Sequence, residues 1–261
     1  MNKKRALLLV GLIALIIGLF KFAPATLISR YIAHKTANTV LLTNAQGTIW
    51  QGNAELTISG EQSTLMLDHA LSIGQIDWHV KASRLLLGEL NIAIIKNNTE
   101  FATLTLTPNK LLVEKLELDL PASVISTLLP SLNAAQLGGK LHISSSSLSV
   151  ADLNHSNSKP NFTGQIQVAW LQASSALNAI NPLGQYQAII DGANELAMIK
   201  VSTMNGPLII KGDGTFNLNN GLVFNGNASA ENNQKQALAP LLHVLGNEVD
   251  AGSGLYKIKL N

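Results

Sequence analysis

Alternation with a period of two runs through most of this chain beyond its N-terminal segment. Ile76, Trp78 and Val80 alternate with Asp77, His79 and Lys81. Leu116, Leu118 and Leu120 alternate with Glu117 and Asp119, Ile166 and Val168 with Gln165 and Gln167, and Tyr256, Ile258 and Leu260 with Lys257 and Lys259. Successive side chains of a strand point to opposite faces, so each set makes one apolar and one polar face. Asp191-Gly192, Asn205-Gly206-Pro207, Asp213-Gly214, Asn220-Gly221 and Asn225-Gly226 read as turns between them. Many short strands at close spacing predict a mainly β fold, a meandering antiparallel sheet.

Two short helices are expected within it. Ile125, Leu128, Leu129 and Leu132 fall at i, i+3, i+4 and i+7, as do Leu238, Leu241, Leu242 and Leu245. Pro130 and Pro240 limit their regularity, and Gly246 is a natural stop. Four landmarks recur in the same order in two halves. Gly74 to Trp78 is echoed by Gly164 to Trp170, Leu87-Gly88 by Leu183-Gly184, Leu128-Leu129 by Leu241-Leu242, and Gly139 to Ile143 by Gly254 to Ile258. The pattern implies two similar β units sharing one sheet. The expected organisation is a cytoplasmic tip and anchor over 1–25, a first β unit over 26–145, a Ser/Asn-rich loop over 146–162 and a second β unit over 163–261.

The N-terminus sets the compartment. Lys3, Lys4 and Arg5 precede an apolar run from Ala6 to Phe20. As a helix, Ala6 to Phe22 would cover roughly 25 Å, near the hydrocarbon thickness of a bilayer. Pro24 ends it. The basic cluster stays in the cytoplasm, so the rest of the chain is exported. Ala23-Pro24-Ala25 also has the small-residue spacing of a signal-peptide cleavage site. The length of the run and the position of Pro24 favour a retained, single-pass anchor in contact with inner-membrane lipid. Beyond it, Thr26 to His34 is expected to follow the membrane surface, with Leu27, Ile28, Tyr31 and Ile32 against lipid.

Removing Lys3, Lys4 and Arg5 from the 18 basic residues leaves 15 against 16 acidic ones, so the exported part is nearly neutral. That gives nucleic-acid binding no electrostatic support. There is no cysteine, hence no disulfide and no thiolate chemistry. The six histidines show no metal-ligand spacing, and His79 and His142 fall on polar strand faces. Ser63 with Asp68 and His69 lacks a nucleophile elbow, and Ser253 belongs to a turn. Gly212-Asp213-Gly214 reads as a hairpin turn rather than a phosphate loop. No enzyme activity, cofactor or metal is expected.

Trp50 lies in Gly47-Thr48-Ile49-Trp50-Gln51-Gly52 and is expected to anchor the core at the end of the first strand. Trp78 and Trp170 hold matching places in the two units, which favours packing. A basic tip, one anchor and this Gly-Thr-x-Trp-x-Gly motif resemble the type II secretion system protein N family. Ile76-Asp77-Trp78 followed by Leu86-Leu87-Gly88, Gly206-Pro207-Leu208 leading into Gly212-Asp213-Gly214, and Leu241 to Gly246 with Gly254-Leu255-Tyr256 extend the resemblance over nearly the whole chain. It implies a non-enzymatic inner-membrane component of the machine that exports folded proteins from the periplasm across the outer membrane. The implied partners are other type II secretion subunits, with secreted proteins or lipid as further candidates. The rival reading is an AsmA-like envelope protein that binds or moves lipid in an apolar β groove. Apolar residues facing a closed core and apolar residues facing lipid give the same alternation.

Overall fold

Fifteen strands form one antiparallel sheet laid down almost in chain order. The computed structural model describes residues 11–12, 14–15, 18–60, 70–152, 160–217 and 221–260. The first strands are β1 (Val40–Gly47), β2 (Gln51–Ile58), β3 (Leu71–Lys81), β4 (Leu90–Lys96), β5 (Thr99–Leu106), β6 (Lys110–Pro121), β7 (Leu137–Ser145) and β8 (Leu148–Ala151). They are followed by β9 (Asn161–Ser175), β10 (Gly184–Asn194), β11 (Leu196–Asn205), β12 (Leu208–Asn217), β13 (Gly221–Ala230), β14 (Asn247–Glu248) and β15 (Leu255–Leu260). Three α-helices accompany them: α1 (Thr26–Lys35), α2 (Ser123–Leu128) and α3 (Lys235–Leu245). The sheet runs unbroken across the middle of the chain, because β7 pairs with both β6 and β9.

Strand β8 corrects the expectation of a loop from residue 146. It lies end to end with β7 in a single lane between β6 and β9. Leu116 pairs with Ser145 and Val113 with Leu148, so the register against β6 passes through the Ser146-Ser147 bend unchanged. Leu148 and Val150 supply the apolar alternation, and Ser149 Oγ lies 2.8 Å from Thr163 Oγ1 on β9. A hydroxyl that has found a cross-strand partner is compatible with a strand interior. Ser149, which read as loop, is a strand residue paired on both sides, and Ser146 and Ser147 make the bend between β7 and β8.

Three expected turns are also strand interiors. Asp191-Gly192 lies in β10, Asp213-Gly214 in β12 and Asn225-Gly226 in β13. Their glycines make room on the apolar face. The Phe224 ring lies over β12 and β13, and a Cβ on Gly212 would stand 2.5 Å from its Cζ. A turn does form at Gly206, at φ +116°, where β11 hands over to β12.

The sheet curls with its apolar side inward. Ile73 of β3 shares one buried cluster with Leu120 of β6 and Leu141 of β7, strands separated from it by two and three intervening lanes. Small inward residues such as Gly52, Ala54, Ala102, Gly212, Gly226 and Ala228 shorten the spacing on that side. At Gly60 the chain passes so close to α2 that a Cβ would sit 2.5 Å from the Thr127 carbonyl oxygen.

Helices fill part of this trough. Helix α1 lays Ile28 and Ile32 against the cluster of Leu42, Ala54, Ile76 and Trp78. Leu27 and Tyr31 point away from the sheet and are exposed. The apolar side of α1 is therefore split between protein and exterior, where the sequence placed all four residues against lipid. At the opposite end of the strands, α3 buries Leu238, Leu241 and Leu242 completely against β9, β10, β13 and β15, and continues through Pro240. Helix α2 and the 3-10 turn Pro130–Ala135 lie between the two groups; Val124 is buried there, while Leu128 of the expected stripe is exposed. Gly246 ends α3 at φ 179° as extended backbone, so its role is close approach: a Cβ would collide with the Lys257 carbonyl of β15.

Trp78 on β3 and Trp170 on β9 both face inward, and each indole N–H donates to a main-chain carbonyl: Thr48 at 3.2 Å and Gly138 at 3.0 Å. A helix follows four strands in the first half (β3 to β6) and five in the second (β9 to β13).

The α3 cluster is the best-filled part of the interior. Leu241→Ala is expected to cost about 2–5 kcal/mol by urea unfolding. Tyr186 is buried beneath it, with its hydroxyl 3.0 Å from the carbonyl oxygens of both Leu183 and Leu208; burial pushes the phenol well above its ordinary value. Tyr186→Phe removes the donor and is expected to cost about 1 kcal/mol in the same measurement.

Candidate functional site

The Gly47 to Gly52 motif is the turn between β1 and β2, and its residues close on one another. Gly47 adopts φ +88°, in the left-handed region that favours glycine. Thr48 Oγ1 accepts the N–H groups of Trp50 and Gln51, each at 3.2 Å, and the Thr48 N–H donates to the Gln51 carbonyl at 2.9 Å. Gly52 leaves its face bare so that the Trp78 indole can lie on it; a Cβ there would stand 2.5 Å from Trp78 Cζ2. The Trp50 carbonyl accepts the Val80 N–H at 2.7 Å. Gly47, Thr48, Trp50, Gly52 and Trp78 are thus one constellation, built from β1, β2 and β3.

That constellation also grips the chain that precedes the sheet. Residues 18–21 are helical, and the chain then turns through Ala23, Pro24 and Ala25. The Ala25 N–H donates to Gly47 at 3.1 Å, and the Ile49 N–H donates to Ala23 at 2.9 Å. Pro24 and Thr48 form an antiparallel bridge. The Trp50 indole N–H donates to the Phe20 carbonyl at 2.9 Å, and the two rings meet edge to face with centroids 4.8 Å apart. Trp50 is half-buried: it packs against the cluster of Leu42, Ala54, Ile76 and Trp78, where a core anchor was expected, and it also meets the N-terminal segment. Only its hydrogen-bonding indole beside a Pro-terminated apolar run hinted at the other role. Ala25, at 1% exposure, is the pivot from this joint into α1.

The remaining residues singled out by sequence do not join this site. Gly88, at φ +76°, caps the 3-10 turn Ala82–Leu87 between β3 and β4. Trp170 lies in the middle of the trough beside Tyr186, with ring centroids 5.3 Å apart. Gly206 and Pro207 form the β11–β12 turn, where the Pro207 carbonyl accepts the Glu231 N–H at 2.9 Å, and Gly212 lies beneath Phe224. Lys3, Lys4 and Arg5, and the Ser63, Asp68 and His69 group, lie outside the described residues.

The outer face carries one charged cluster. Asp119 on β6 meets Lys140 Nζ at 2.7 Å and His142 Nδ1 at 2.9 Å, both from β7. Hydrogen bonds from Lys140 and then His142 hold the Asp119 carboxyl below its ordinary range. A depression lined by Asn44, Gln46, Asn53, Glu55 and Gln75 lies on the outer side of β1 to β3. Among the described residues, no three His, Cys, Asp or Glu side chains converge on a point where a metal could sit.

A family model for type II secretion system protein N matches residues 38–259, from just after α1 to the end of β15. The chain belongs to the type II secretion system protein N family. The match takes in the whole sheet and the Gly47 to Gly52 turn, and it assigns the protein a role in type II secretion. No curated protein and no solved structure matches the chain. In this member of the protein N family no helix among the described residues is long and apolar enough to cross a membrane; most of the expected anchor lies outside them.

Two outcomes follow from the joint. Trp50→Ala removes the ring contact and the indole hydrogen bond, and is expected to speed tryptic cleavage at Lys21 and Arg30 while cleavage within β9 to β15 stays unchanged. Gly52→Val drives a side chain into the Trp78 indole and is expected to cost about 1–3 kcal/mol by urea unfolding. The outer cluster gives a third. The lowered Asp119 value stabilises the fold above the ordinary carboxylate pKa, and the contribution fades as pH falls through the folded value. Lys140→Met is expected to raise the Asp119 pKa toward its ordinary value in an NMR titration.

Proposed function

We propose that this protein is a non-enzymatic, single-pass inner-membrane component of the type II secretion system. Its N-terminus is cytoplasmic and its sheet periplasmic, and it contributes to export of folded proteins across the outer membrane through protein–protein contacts. The observation that carries this reading is the joint at Gly47 to Gly52. Three main-chain or indole hydrogen bonds and an aromatic pair fasten residues 20–25 to the sheet. A chain that needed only tethering would have a flexible linker at this point. Here residues 20–25 are fastened to the sheet by specific contacts, which suits an assembly component.

The contact surface in this reading is the sheet's last edge. Strand β15 pairs along its length with β13, but on its other side β14 covers only Tyr256 and Lys257. Ile258 to Leu260 extend past that cover, and an edge left open in this way can add a partner strand. Lys257 and Lys259 on the outer face favour an acidic neighbour. A photo-crosslinking residue at Lys259 in cells is expected to capture other subunits of the secretion apparatus. Capture of none, with the protein at native level and secretion intact, would count against the edge as the contact.

A further inference from the structure

We propose that the open half of the trough takes an acyl chain of a membrane phospholipid. The proposal rests on the membrane attachment argued above. Two ends of the sheet must be distinguished. Helix α3, α2 and the 3-10 turn crowd the end where β12 begins and β13 finishes, and α1 covers β1 to β3. From β9 to β13, the end where β10 finishes and β11 begins has no helix over its inner face among the described residues. Its inward positions include Phe162, Ile166, Ile190, Ile199 and Phe216, the first four half-buried and Phe216 37% exposed. About five residues each of β9, β10, β11 and β12 lie beyond the α3 cluster, roughly 17 Å at the rise of an antiparallel strand, while Leu222 and Phe224 of β13 belong to that cluster. That length accommodates the greater part of an acyl chain.

The chemistry of this surface favours a lipid over a peptide. The inward positions of β9 to β13 hold no acidic or basic side chain; Gln165, Gln167, Asp191, Lys200, Lys211 and Asp213 all point outward. Each of these strands except at its ends is paired on both sides, so the face offers no main-chain donor or acceptor. A peptide laid across it would leave its own amides unpaired, at a cost that aliphatic contact does not offset. An acyl chain has no such groups to satisfy, and its burial is favourable in proportion to area.

The rim shows where the chain comes from. Leu85 and Leu87, in the turn after β3, are exposed at this end of the sheet, Leu87 at 76%. Leu19, Phe20 and Phe22 are exposed where the N-terminal segment joins the Gly47 to Gly52 turn, at the same end. An apolar mouth at the end of the sheet that carries the membrane segment opens toward the bilayer, and this continuity selects lipid as the occupant.

The test uses the full chain reconstituted in vesicles of phosphatidylethanolamine and phosphatidylglycerol. The vesicles are doped with a phosphatidylcholine carrying a diazirine near the end of one acyl chain. After illumination, adducts are mapped by mass spectrometry. Adducts are expected on β9 to β12 peptides containing Ile166, Ile190 and Ile199, as well as on residues 6–22. Ile199→Trp fills the face without adding charge; it is expected to reduce the strand adducts several-fold and leave those on residues 6–22 unchanged. Adducts confined to residues 6–35, in protein that floats with the vesicles, would overturn the groove and leave the attachment standing. Protein that fails to float would overturn the attachment and the groove with it. Equal strand adducts in wild type and Ile199→Trp would show that labelling is unrelated to this face and sink the proposal.

Discussion

A broad sheet with one apolar face must hide that face, and the described residues include no second layer of comparable area. Among them, three α-helices of ten, six and eleven residues and two 3-10 turns lie along fifteen strands. Everything else in the architecture follows from that shortage. The sheet bends toward its apolar side until strands three and four lanes apart share a cluster, as Ile73 does with Leu120 and Leu141. Bending in that direction requires small residues inside, and the inner positions supply alanine and glycine where a flat sheet would carry valine and isoleucine. The helices then finish the burial where the bend alone leaves gaps, and the far end of the second half becomes the tightest part of the molecule.

The alternation of apolar and polar residues made the strands readable, and the helix at Lys235–Leu245 followed from its leucine spacing; the first stripe was read too long, since the helix stops at Leu128 and leaves Leu129 and Leu132 beyond it. The other errors share a cause. Local composition cannot tell a glycine that turns the chain from a glycine that makes room for a ring, so Gly212, Gly214 and Gly226 read as turns when they line the floor beneath Phe224. Ser149 read as loop because serine is common in loops, and nothing local announces that Thr163 waits across the lane for it. Trp50 is the clearest case for the site. Its motif was visible, but its partner is thirty residues earlier in the chain, and no periodicity links an indole N–H to the Phe20 carbonyl.

The joint and the trough divide the chain's glycines and tryptophans between two tasks. Gly47, Gly52, Trp50 and Trp78 fix how the N-terminal segment leaves the sheet. Gly212, Gly226 and Trp170 shape the interior. Trp78 belongs to both, since its ring lies on Gly52 while its edge reaches the cluster under α1. A disturbance at the motif therefore reaches the first third of the interior directly, and a disturbance around Phe224 does not reach the joint.

The nearly sequential order of the sheet has a kinetic consequence. Apart from the β8 segment and the final exchange of β14 and β15, each strand pairs with the one made just before it. Contacts that close only short loops form quickly. A chain threaded across a membrane from its N-terminus can then add hairpin after hairpin to the β1–β2 turn as each emerges. The growing edge is a liability at every stage, because an unpaired strand recruits whatever strand is nearby. In this topology the nearest one is always the next segment of the same chain.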